Sequence, residues 1–141
     1  MIYTLYESTT GHITNILHID LPEHLEQNLN GKSAIEGNYS TDEYYIANGQ
    51  AIQKLPKPGD HYQYNYLSQI WEIDNVYLTK MLRIQRTQLL QIIDDINVVR
   101  YNSLTTEQQT ELKNYRQALL DVPQQLGFPN TVAWPPKPGW L

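Results

Sequence analysis

The sequence predicts an α+β protein, with a small antiparallel β module followed by an α-helical hairpin and an extended proline-rich C-terminal arm. Three observations predict it. In the first half, short runs rich in Tyr, Ile and Thr alternate with turn residues, the pattern of strands and hairpins. From residue 74 onward, apolar residues recur at steps of three and four, the spacing of one helix face. Beyond Leu126, Pro129, Pro135, Pro136 and Pro138 interrupt any helix or interior strand. The expected boundary separates a β module over 1–73 from the hairpin and arm over 74–141.

The β elements follow in order. Ile2–Tyr6 is β-rich, Glu7–Gly11 is turn chemistry, and His12–Ile19 is β-rich again, so a hairpin is expected. Leu21–Gln27 suits a short helical turn after Pro22, and Lys32–Gly37 a third strand. Tyr44–Ile46 and Gln50–Ile52 flank Asn48-Gly49, the strongest two-residue hairpin signal in the chain. Pro56, Pro58 and Gly59 then interrupt, before a strand over Tyr62–Tyr66 and another over Gln69–Glu72. Alternation puts Tyr62, Tyr64 and Tyr66 on one strand face. Five to seven short strands are expected in all.

A first helix is expected from Asp74 or Thr79 to about Val99. Leu82, Leu89, Ile93 and Ile96 form its core stripe, widened by Met81, Ile92 and Val99. Asn102-Ser103 breaks it, and Thr105 or Thr106 caps the next helix, with Gln108 or Gln109 completing a capping box. So short a link predicts antiparallel packing. In the second helix Leu112, Tyr115, Leu119, Val122 and Leu126 share a face, and Pro123 ends it. The segment from Ala133 to Trp140 is then an extended, polyproline-like ribbon carrying two indoles.

Composition narrows the function classes. A chain of 141 residues suits one ordinary domain or two very small ones. With 40% hydrophobic and 18% charged residues it has a globular balance. Eleven Tyr against one Phe suit half-buried strands and wet interfaces. A net charge of −5 without a basic run argues against nucleic acid as the main partner. No stretch has the apolar length of a membrane span. The N-terminal residues lack the basic flank and apolar run of a secretory signal, so the expected location is a cytoplasm until the protein assembles with something. The absence of cysteine excludes disulfides, thiol catalysis and thiolate metal sites.

No enzyme, cofactor or metal is expected. His12, His18, His24 and His61 are scattered, and His18 and His24 with Asp20 and Glu23 match no metal-ligand spacing. Asp94 and Asp95, adjacent on a helix, point apart and form no acid/base dyad. Lys57-Pro58-Gly59-Asp60 is no phosphate loop, and no serine sits in a nucleophile elbow. Binding features remain. Arg83 and Arg86, three apart, are either a solvated face or a clamp for a partner's carboxylate. Tyr62, Tyr64 and Tyr66 are either packed on a neighbouring surface or a platform for stacking a glycan. Trp134, Pro135, Pro136 and Trp140 form a ribbon that loses little entropy on docking, with indoles of the kind that anchor interfaces. It either docks on a partner or folds back on its own helices.

Several phrases carry a resemblance. Tyr115-Arg116-Gln117-Ala118-Leu119, then Asp121-Val122-Pro123, Pro129, Trp134-Pro135 and Pro138, resemble the C-terminal signature of the bacteriophage tail assembly chaperone family. The helix with Arg83, Arg86, Leu89, Leu90 and Asp94 is similar to that family's first helix, and the likeness covers roughly residues 78–138. The chain departs from the family at Leu112, where Trp is frequent, and at Asp94-Asp95, where Asp-Trp is usual. Met1–Ile13, Ile35–Ser40 and Tyr44–Ile52 resemble the small N-terminal module of predicted phage tail proteins. The resemblance implies a tail accessory protein that binds a tail fibre or tail-tip protein in the host cytoplasm, and either leaves or stays in the virion tail. Expected contacts are Tyr115, Arg116, Trp134, Pro135, Pro136 and Trp140, with Arg83 and Arg86 secondary. A homo-oligomer following fibre symmetry is a further expectation. Two alternatives stand beside it: a purely structural tail or fibre-collar subunit, and a carbohydrate-binding module for host attachment.

Overall fold

The computed structural model describes residues 1–141 and has the α+β fold. The chain forms two compact units, Met1–Glu72 and Ile73–Leu141.

Seven strands build the first unit: β1 (Ile2–Tyr6), β2 (Ile13–His18), β3 (Ser33–Glu36), β4 (Tyr44–Ala47), β5 (Gln50–Gln53), β6 (Tyr62–Asn65) and β7 (Ile70–Ile73). A 3-10 turn over Pro22–His24 leads into a single helical turn, α1 (Leu25–Asn28). The strands divide among three small sheets, ordered β2-β1-β3, β4-β5 and β6-β7. β1 is the antiparallel centre of the first, pairing Tyr3 with Leu17 on one side and with Glu36 on the other. Asn48 and Gly49 both take positive φ, 51° and 72°, which lets the β4–β5 hairpin close in two residues. At the β6–β7 turn Asn65 Oδ1 accepts from the amides of Leu67 and Ser68.

Leu5, Ile13, Ile19 and Ile46 are the buried hydrophobics of this unit. Two polar devices join its pieces. Thr4, fully buried, donates from Oγ1 to the Gly37 carbonyl at 2.9 Å and accepts from the Tyr39 amide at 3.0 Å, so its hydroxyl is satisfied inside the protein. Gly11, with φ +73°, lies so close to β4 that a Cβ there would sit 2.0 Å from the Ile46 carbonyl oxygen. Its own carbonyl accepts from the Ile46 amide at 2.9 Å. The close approach requires glycine.

The second unit contains α2 (Asn75–Asp94), α3 (Val98–Ser103) and α4 (Thr106–Asp121), then a 3-10 turn over Val122–Gln124 and the arm. Asp74 caps α2 by accepting from the amides of Val76 and Tyr77. The expected continuous helix to about Val99 is shorter than predicted. α2 stops at Asp94, Asn97 adopts an extended backbone and its side chain accepts from the Arg100 amide, and a new helix starts there. Asn97 competes for the backbone in this way because its short amide caps better than it propagates a helix. Asn102-Ser103 therefore ends α3, and the hairpin's two long helices are linked through a third. Thr105 and Gln108 form the reciprocal capping box at the start of α4.

α2 and α4 run antiparallel, since Asp94 meets Arg116 while Arg86 reaches the Leu120 carbonyl. Between them Ile93, Leu112, Tyr115 and Leu119 form a buried cluster, joined at its edges by Leu89, Leu90, Ile96, Tyr101 and Leu104. Met81, Ile92 and Val99, expected to widen the core stripe, are exposed instead. The α2 stripe is narrow because α4 covers only one side of it, and Val99 belongs to the separate short α3. Leu126 also leaves the core: the helix ends at Asp121, the phase of the repeat is lost, and the side chain is 101% exposed.

Candidate partner-binding site

The arm is folded onto α4 and is pinned at two points. Near its start, Gln125 donates from Nε2 to the Ala133 carbonyl at 2.7 Å and accepts the Ala133 amide on Oε1 at 2.8 Å. Near its end, the Trp140 indole N–H donates to Glu111 Oε2 at 2.6 Å. Trp134, Trp140 and Leu141 pack on the Ile93–Leu112–Tyr115–Leu119 cluster. An extended segment has no ladder of its own, so it is held by side-chain partners and by indole area laid on the helix. Gln125 and Glu111 supply the side-chain hydrogen bonds that hold the arm. Sequence reasoning missed both because an isolated Gln or Glu is unremarkable until its distant partner is known.

The predicted contact residues occupy different environments. Tyr115 is 6% exposed and belongs to the core, and burial pushes its hydroxyl above the ordinary tyrosine pKa. Arg116 lies at the surface, its Nε 3.2 Å from Asp94 Oδ1. Between α4 and the arm runs an open groove lined by Glu111, Asn114, Tyr115, Pro135, Pro136 and Pro138. The structure thus gathers Tyr115, Pro135 and Pro136 along one groove, with Trp134 and Trp140 half-buried near it. Arg83 and Arg86 are not brought together. Arg83 is exposed, whereas Arg86 turns inward, donating from Nη1 to the Leu120 carbonyl at 3.4 Å while its buried Nε has no partner.

In the first unit, Tyr62, Tyr64 and Tyr66 do share one groove, with Thr41, Lys57 and Trp71 also on its walls. Its centre, however, is Lys54, only 8% exposed. The ammonium sits 4.4 Å from the Tyr64 ring centre, 4.8 Å from that of Tyr66 and 5.5 Å from Trp71, and it donates to the Tyr66 hydroxyl and the Thr41 carbonyl. Aromatic faces and two oxygens stabilise a buried cation that has no carboxylate partner. Tyr66 also stacks at 4.5 Å on His12, and Tyr64 lies against Tyr45 and Trp71. Burial, then the neighbouring Tyr45 and Tyr66, raise the Tyr64 pKa. The Trp71 indole donates to the Leu55 carbonyl at 2.7 Å. A lysine between prolines and strands gives no hint in sequence that it will become the hub of an aromatic cluster.

No three His, Cys, Asp or Glu side chains gather into a group that could hold a metal ion, and no helix is long and apolar enough to cross a membrane. What the second unit offers is surface: a groove under the arm and an exposed α2 face.

Residues 79–139 match the family model described as Phage tail assembly chaperone protein. The matched span begins in α2 and includes α3, α4 and the arm through Gly139, which supports the resemblance to the tail assembly chaperone family. The N-terminal unit lies outside that span, and its own resemblance has no supporting match. Searches of curated proteins and of solved structures return no match. The similarity to tail assembly chaperones therefore falls on the helices and on the arm they hold.

Proposed function

We propose that this chain is a phage tail accessory protein of the tail assembly chaperone type. It binds a tail fibre or tail-tip protein during assembly through the helical unit and its arm. The observation that carries this reading is the family match over 79–139, which coincides with the unit in which the arm is folded on the helices. Mechanistically, the chain covers apolar surface or an open strand edge on the unassembled partner and keeps it from pairing wrongly. This takes place in the host cytoplasm. No step of it requires a catalytic group, cofactor or metal. Tyr115 acts by holding the helices under the groove, while Arg116, Pro135, Pro136 and the exposed edges of Trp134 and Trp140 supply the contact surface.

In this reading the N-terminal unit is a module with its own core, and the tyrosine cluster is packing around Lys54. The Tyr64 and Tyr66 faces, which a glycan would need, are directed at the ammonium.

The test is co-expression with each fibre and tail-tip protein of the same phage, followed by purification on the candidate partner and mass spectrometry of gradient-purified particles. A stoichiometric complex with one of them is expected. If it also appears in particles at a fixed ratio, the protein is a structural subunit, and if it is abundant only in the lysate it is a transient helper. Failure of every tail protein to form a complex would remove the proposal.

A further inference from the structure

The outer face of α2 is unusual for a surface helix, which normally presents charged and polar residues to water. At about 100° per residue, Val76, Lys80, Ile84 and Thr87 form one row, and Tyr77, Met81, Gln88 and Ile92 a second beside it. The first row lies opposite the side that carries Leu82, Leu89 and Ile93, and the second flanks that side. All five hydrophobics in these rows are exposed, Val76 to 84%. An open groove of about 500 Å³ follows the first row, bordered by Val76, Lys80, Arg83, Ile84 and Thr87.

Up to its last residue, Asp94, the helix carries charge of one sign. From Asn75 to Ile93 it contains Lys80, Arg83 and Arg86 and no Asp or Glu, in a chain whose net charge is −5. Arg86 turns inward, which leaves Lys80 and Arg83 as the exposed cations at the groove. Neither is ion-paired within the chain, whose salt bridge joins Arg116 to Asp94.

We propose that this face is the docking site for an amphipathic, acidic helical segment of a partner protein. The segment's apolar residues lie over Val76 and Ile84, and its carboxylates meet Lys80 and Arg83. An apolar groove edged by cations selects this chemistry in the helix-in-groove mode, with charge setting specificity and approach. A second copy of this chain meeting it face to face would bring Lys80 and Arg83 against the same cations, a like-charge arrangement. The inference rests on the tail-assembly reading and names the partner chemistry for the unit that reading uses.

The experiment measures fluorescence anisotropy of the full chain with three labelled peptides of roughly five helical turns each. One carries Leu and Glu at helical spacing, one replaces its Leu by Ser, and one replaces its Glu by Lys. The Leu–Glu peptide is expected to bind, to weaken as salt rises, and to be preferred over the other two by about tenfold or more. The double variant Lys80→Glu with Arg83→Glu should lose about tenfold for the Leu–Glu peptide and gain binding of the Leu–Lys peptide. Far-ultraviolet circular dichroism unchanged from wild type separates that gain from unfolding. Equal binding of acidic and basic peptides, or no binding at all, overturns the proposal. So does self-association that disappears in Ile84→Ser, since it makes a second copy the occupant. If the double variant still copurifies with the tail protein as wild type does, this face is not the site and the tail-assembly reading stands. If the peptide pattern holds while no tail protein copurifies, the acidic-helix site stands and the tail-assembly reading fails.

Discussion

Replacing Trp140 by Ala tests whether the arm is part of the fold in solution. The substitution removes an indole packed on the Ile93–Leu112–Tyr115–Leu119 cluster together with its hydrogen bond to Glu111. A Trp side chain buries about 150–250 Å², and at about 25 cal/mol/Å² that is an upper figure of about 4–6 kcal/mol. Partial exposure of Trp140 and a denatured state that already buries some area reduce it to about 2–3 kcal/mol. The hydrogen bond adds about 1 kcal/mol, discounted for solvent at the surface. A loss of about 3 kcal/mol is large for a unit of this size, because domains hold only about 0.05–0.15 kcal/mol per residue. Urea unfolding followed by far-ultraviolet circular dichroism reads it without relying on the deleted fluorophore. Trp140→Phe, which keeps a ring and loses the N–H donor, should fall between wild type and Trp140→Ala. A change below about 0.5 kcal/mol in Trp140→Ala, the size of an ordinary surface substitution, would refute the docked arm.

Leu119→Ala is expected to destabilise the helical unit by about 2–5 kcal/mol, whereas Leu126→Ala stays within about 0.5 kcal/mol; parallel urea melts check the pair, and equal losses would contradict the helix end at Asp121. Lys54→Ala should cost about 2 kcal/mol and change the near-ultraviolet dichroism of the tyrosines, with Lys54→Met milder because it keeps the stem and relieves the buried charge. Unaltered tyrosine signals in Lys54→Ala would count against the aromatic cluster. Tyr115 and Tyr64 have raised pKa values, so the unfolded chain gives up these protons first on the alkaline side. Their contribution is full below the ordinary tyrosine pKa of about 10 and is lost as pH rises above it. Tyr115→Phe should therefore flatten the stability curve over that alkaline range, and an identical slope in the variant would refute the burial of its hydroxyl.

Much of the local structure was legible in the residues themselves. Asn48-Gly49 dictates its hairpin because those residue types tolerate positive φ, Thr105 and Gln108 dictate a helix start because their side chains reach the first free amides, and Pro123 dictates a helix end by lacking a donor. The α+β class follows from two periodicities that need no partner to be read. The resemblance over the last two helices and the arm is likewise a property of the linear order, and the family match falls on nearly the same residues.

Tertiary structure decided which of several compatible contacts each residue makes. Periodicity places Leu119 and Leu126 on one face, but the chain turns at Val122–Gln124, so one is fully buried and the other fully exposed. Met81 and Ile92 share a helix with Ile93, yet α4 covers only one side, and the uncovered side became the candidate docking face. A proline-rich ribbon has no ladder to fix its position; Gln125, in the turn after α4, and Glu111, within α4, supply hydrogen bonds that do. Lys54 reads as an ordinary surface charge until the β6–β7 hairpin places Tyr64, Tyr66 and Trp71 around it. Most element starts and turns depend on neighbours within a few residues and could be read from them, whereas the end of α2 at Asp94 and the new start at Asn97 were hidden in a continuous apolar periodicity. Burial and site geometry depend on surfaces brought together across tens of residues, and only the folded chain contains them.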